Sequence, residues 1–116
     1  MIEEIRQKYE VVDSDEVIVS VIIGEEQAGW SAIFLNDSFQ TEGKTKIENF
    51  SLGKGADIKS QVLKVATTVV DKNPRTNRTA VTYFLKGGRS PVDITLDVTV
   101  DNDNDPALYN AEFTFV

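Results

Sequence analysis

The 116-residue chain is predicted to fold as a single all-β domain, an antiparallel β-sandwich of immunoglobulin-like or related Greek-key type with about seven strands. Three observations lead there. Segments of alternating apolar and polar residues recur at short spacing, β-branched residues dominate them, and no long helical period separates them. Close succession without helical crossovers favours antiparallel pairing over βαβ units. A chain of this length buries roughly two-thirds of its unfolded surface, enough for one core without metal or disulfide.

Residues 1–12 are read as a short N-terminal helical arm, because Ile2, Ile5 and Tyr9 recur at helical spacing among charged residues. From Glu16 the period becomes two: Val17, Val19, Val21 and Ile23 share one face. After the polar turn at residues 24–29, Trp30, Ala32 and Phe34 alternate, and that row is assigned to the core. Residues 36–45 read as a loop and 46–52 as a weaker strand. Residues 60–71 form the longest β-like run, and the Lys72–Asn77 segment carries strong turn chemistry. Residues 79–86 return to Gly87-Gly88. In the last two strands Ile94, Leu96, Val98 and Val100, then Tyr109, Ala111, Phe113 and Phe115, point inward. With this strand count, loops 24–29, 53–59 and 87–91 fall at one end of the sandwich, and 36–45, 72–78 and 101–107 at the other.

Composition narrows the function. The chain has no cysteine and no histidine, which removes thiolate and imidazole chemistry, both as nucleophile or base and as metal ligand. A net charge of −7 opposes binding to a phosphate backbone, so nucleic acid is not an expected partner. The first residues lack the basic and apolar regions of a secretory signal, and no apolar run is long enough for a membrane span; a cytoplasmic location is expected.

Asp101, Asp103 and Asp105 alternate through a five-residue acidic run, where hard cations such as calcium seek oxygen ligands. The spacing resembles an EF-hand loop over about twelve residues, with Glu112 at the twelfth position. Yet Pro106 stands where that loop needs a glycine, and the flanks are strands. A calcium site in a sandwich-end loop is thus the alternative to a solvated acidic turn neutralised by Lys72, Arg75 and Arg78.

Gly43-Lys44-Thr45 lacks the upstream glycine of a phosphate-binding loop, and the three Asn-X-Ser/Thr triplets carry no chemistry without secretion. Trp30, Tyr83 and Tyr109 offer a carbohydrate platform only if they leave the apolar rows in which they lie. Glu25 and Glu26 are adjacent on a turn and do not flank a cleft, so no catalytic residue is assigned and no enzyme is expected. What is left is a non-catalytic structural or protein-interaction module that binds a protein partner or itself as a homo-oligomer. Apolar residues on both faces support that reading: Ile18 and Ile22 oppose the Val17 row, Ile33 and Leu35 the Trp30 row, and Val62 and Val70 the Leu63 row. The C-terminal strand, if an edge, would be open to strand addition.

Overall fold

The computed structural model describes residues 1–116 as nine strands and one helical turn. These are β1 (Ile2–Tyr9), β2 (Glu16–Ile23), β3 (Ala28–Leu35), β4 (Ser38–Lys44), β5 (Lys46–Lys54), α1 (Gly55–Ile58), β6 (Val62–Val70), β7 (Arg78–Lys86), β8 (Val92–Thr99) and β9 (Pro106–Phe115). They form two packed sheets, ordered β1-β9-β6-β3-β4 and β5-β2-β7-β8. The sandwich class is therefore borne out, and every pairing is antiparallel except β1 with β9. Nothing in this strand order singles out the immunoglobulin connectivity.

Alternation builds the core. In β2, Val17, Val19 and Val21 are fully buried; from β9, Tyr109, Phe113 and Phe115 are fully buried too, Phe113 edge-on against Tyr83 of β7 across the sandwich. β-Branched side chains favour this pleated, half-buried setting, and each buried Val, Leu or Phe contributes about 1.5–3 kcal/mol relative to exposure. The rows predicted for β2, β8 and β9 face inward as expected.

Four expectations are corrected. The N-terminal arm is not a helix: residues 2–9 form β1, paired in parallel with β9 from Ile2↔Leu108 to Tyr9↔Phe115. The molecule's short helix is the single turn α1. β1 also covers the outer edge of β9, so the C-terminal strand lies inside its sheet and not at its margin. In β3 the faces are exchanged: Ser31 and Ile33 are buried, while Trp30 points outward and is 40% exposed. Finally, residues 38–44 form β4, a polar edge strand that passes into β5 through Thr45 alone, at φ 62°.

That extra strand reverses the chain once more, which shifts the later loops to opposite ends. Loop 24–27 therefore gathers with 71–78 and 101–105, as the bonds from Gln27 to Asp71 and from Lys72 to Asn104 show. The turn at 36–37 lies instead with 59–62.

Two core tyrosines differ in one respect that decides their worth. The Tyr109 hydroxyl lies 2.6 Å from Thr79 Oγ1, which itself donates to the Val98 carbonyl. The Tyr83 hydroxyl is buried beside Thr67 without a well-formed hydrogen bond, and burial drives its pKa up. Leaving a buried polar atom unpaired costs about 1–3 kcal/mol. Tyr83→Phe is therefore expected to leave stability unchanged or raise it by about 1 kcal/mol, whereas Tyr109→Phe lowers it by about as much. Urea melts of the two variants check this, and equal losses in both would contradict it.

Candidate functional site

Two places concentrate chemistry: the loops at one end of the sandwich, and the outer face of the five-stranded sheet. At the loop end, Gln27 is 4% exposed and acts as a hub. Its Nε2 donates to Asp71 Oδ1 at 2.8 Å and to the carbonyls of Thr76 and Arg78. Its Oε1 accepts from the backbone N–H groups of Lys72 and Asn73, at 2.7 and 2.8 Å. One neutral amide thus ties loop 24–27 to the 71–78 segment that joins β6 to β7. Asp71 is itself buried, and its second oxygen accepts from the Asn77 amide at 2.7 Å, which also reaches Asp103 at 3.0 Å.

The acidic loop is fastened into this network. Asp105 Oδ2 accepts from the Asn102 backbone N–H, the Asn104 N–H donates to the Asp71 carbonyl, and Lys72 Nζ donates to Asn104. Of the three predicted ligands, Asp103 and Asp105 engage amides in different directions, and no group of three or more acidic side chains gathers around a common centre. Lys72 reaches the loop, though at the Asn104 amide oxygen and at none of its carboxylates. Arg75 and Arg78 do not: Arg75 pairs with Glu26, and Arg78 with Glu25 and Asp97. Glu25, Glu26 and Asp71 are the other acids gathered at this end.

Tyr83 and Tyr109 stay in the apolar rows that placed them in the core, and no aromatic platform forms. Tyr83 and Tyr109 are fully buried, which leaves no sugar-binding face between them, and only Trp30 reaches the surface.

Trp30 belongs to the second place. Register puts it beside Thr68, Thr68 beside Leu108, and Leu108 beside Ile2, so one row crosses four strands on the outside of the sheet. Leu108 is 39% and Ile2 59% exposed. The neighbouring row carries Ala28, Val70 and Pro106. Farther along the same face Phe34 stacks edge-on with Phe39, beside a shallow cavity of about 450 Å³ lined by Phe34, Ala66 and charged side chains. Large exposed apolar side chains in contiguous rows mark an interaction surface more often than isolated ones do.

The charges on this face are balanced. Arg6 pairs with Glu112 at 3.1 Å and Lys64 with Asp37 at 3.0 Å. Lys8 and Lys44 offset Glu4 and Glu42 on the same side of the sheet. Four basic and four acidic groups leave the face neutral, and the chain's charge of −7 resides elsewhere.

Sequence reasoning assigns this row inward, because Trp30, Ala32 and Phe34 alternate without a polar residue, whereas Ser31 interrupts the opposite row. The available signal was Ile33 and Leu35, whose β-branched or branched side chains compete for the core on the opposite face. No family model, no curated protein and no solved structure matches this chain.

Proposed function

We infer that the chain is a non-catalytic protein-interaction module that associates with a second copy of itself through the outer face of its five-stranded sheet. The row of Trp30, Leu108 and Ile2, exposed on a neutral face of an otherwise acidic molecule, is the observation that carries this reading. Two copies of a molecule with net charge −7 repel one another at most approaches. The neutral face is where that repulsion is least. Size agrees: five strands ~4.8 Å apart, each eight residues long at ~3.4 Å, span roughly 650 Å² in projection. A standard interface buries about 800 Å² of accessible surface per partner, which a corrugated face of that span provides.

Trp30 is the only tryptophan, so it reports on its own burial. Its emission is expected to shift to the blue as protein concentration rises, in step with a dimer mass by light scattering. Trp30→Glu combined with Leu108→Glu should hold the protein monomeric while leaving its melting temperature within a few degrees, because both side chains already face water in the free chain. A monomer at millimolar concentration with unshifted emission would defeat the reading.

A further inference from the structure

We propose that the free edge of β8 accepts an extended strand from another polypeptide, one with apolar side chains at alternate positions and Lys or Arg between them. The sandwich sets five strands against four. On one side the two sheets are joined directly, β4 running into β5. On the other side β1 extends beyond its counterpart, and β8 is the nearest strand of the opposite sheet. The place beside β8 and beneath the inner face of β1 is that of a missing fifth strand.

The side chains around that place fit a strand. Ile5 from β1, with Val92, Ile94 and Leu96 from β8, are four of the six partly buried apolar residues at the margin of the core. A strand added to β8 would cover them with its inward side chains.

The four sheet edges are not equally protected. β5 has two register shifts and positive φ at Asn49 and Gly53. β4 has a register shift opposite Ile33 and Phe34, and β1 turns Glu3 toward the interior. Such irregularities and inward charges block strand addition. β8 has none of them: eight residues pair with β7 in unbroken register, and its inner row is Val92, Ile94, Leu96 and Val98.

Charge then selects the partner. On the outer side of β8 stand Asp93, which has no ion-pair partner within the chain, and Asp97, which already pairs with Arg78, alternating with threonines. A second acidic strand would set like charges close together, whereas Lys or Arg at the facing positions would pair with them. A basic, alternating strand is therefore the occupant this edge fits, by backbone pairing for affinity and side-chain charge for selection. The face assigned above to self-association belongs to the other sheet, so the two proposals stand or fall separately.

The test uses a fluorescein-labelled peptide alternating valine with lysine, and its counterpart with glutamate for lysine, titrated with the full chain by fluorescence polarisation. The lysine peptide is expected to bind and the glutamate peptide not. Asp93→Lys should weaken binding at least tenfold, while Asp57→Lys, which makes the same change in net charge on α1, should change it less than twofold. In amide NMR spectra the shifts should concentrate in residues 92–99 and around Ile5. Equal binding of both peptides, no binding of either, equal effects of the two substitutions, or shifts confined to other strands would each overturn the proposal. Asp93→Lys that alters the chain's own oligomeric state would show instead that β8 pairs with a second copy.

Discussion

Gly87→Ala is expected to destabilise the fold by upwards of about 3 kcal/mol, at the far end of what single substitutions do. Gly87 holds φ +92°, a region that side-chain-bearing residues avoid, and a β-carbon built there would lie 1.8 Å from the Glu16 carbonyl oxygen. That oxygen is backbone at the start of β2 and has no side-chain freedom with which to yield. Relief would require β2 and β7 to part where β7 ends, next to the bridge between Val11 and Gly88. Gly24→Ala is the matched control. Its β-carbon would meet Ala80 at an ordinary 3.7 Å, so a change within about 0.5 kcal/mol is expected. Chemical denaturation of both variants decides the matter: comparable losses would mean that the conformation at Gly87 is not what the fold requires.

The second large effect is expected at Gln27. Gln27→Leu keeps the approximate volume but removes both ends of the amide. The Lys72 and Asn73 N–H groups lose their acceptor, and the buried Asp71 carboxylate loses a donor. Each stranded group costs about 1–3 kcal/mol, so a total loss of roughly 3–5 kcal/mol is expected. Gln27→Glu separates hydrogen bonding from shape. It preserves the two accepted bonds yet sets a carboxylate oxygen against Asp71 and against the Thr76 and Arg78 carbonyls, so it should be at least as unstable as Gln27→Leu. Equilibrium unfolding of the two variants measures the difference. A Gln27→Leu protein as stable as the parent would show that the loops hold together without the hub.

Both positions lie in segments whose importance was only half legible. Gly87-Gly88 announces a turn, but the pressure of the Glu16 carbonyl on it is a contact across 71 residues that no local pattern encodes. Gln27 sits in a polar turn whose composition is that of any solvated loop. Its burial follows from β4, because the reversal at 38–44 is what brings loops 24–27, 71–78 and 101–105 to one end. β4 was illegible for a physical reason. Its inward positions are Thr41 and Gly43, and an edge strand with so little to bury shows no apolar alternation.

β1 failed differently. Its inward row is Glu3, Ile5, Gln7 and Tyr9, so two polar residues erase the period of two and leave Ile2, Ile5 and Tyr9 at helical spacing. Pairing with β9 overrides that local pattern. By contrast β2, β8 and β9 were read to the correct face, because their apolar rows face a continuous core.

The parallel pairing of β1 with β9 also governs how the molecule would meet a pulling force. Met1 lies at one end of the sandwich, against Leu108, and Val116 at the other, bonded to Tyr9 and Val11. Tension applied between residues 1 and 116 would run along these two adjacent strands in opposite directions. The register from Ile2↔Leu108 to Tyr9↔Phe115 would then be loaded in shear, all rungs together, and could not be peeled open one at a time. The strand that local sequence disguises as a helix is thus the mechanical clasp of the domain.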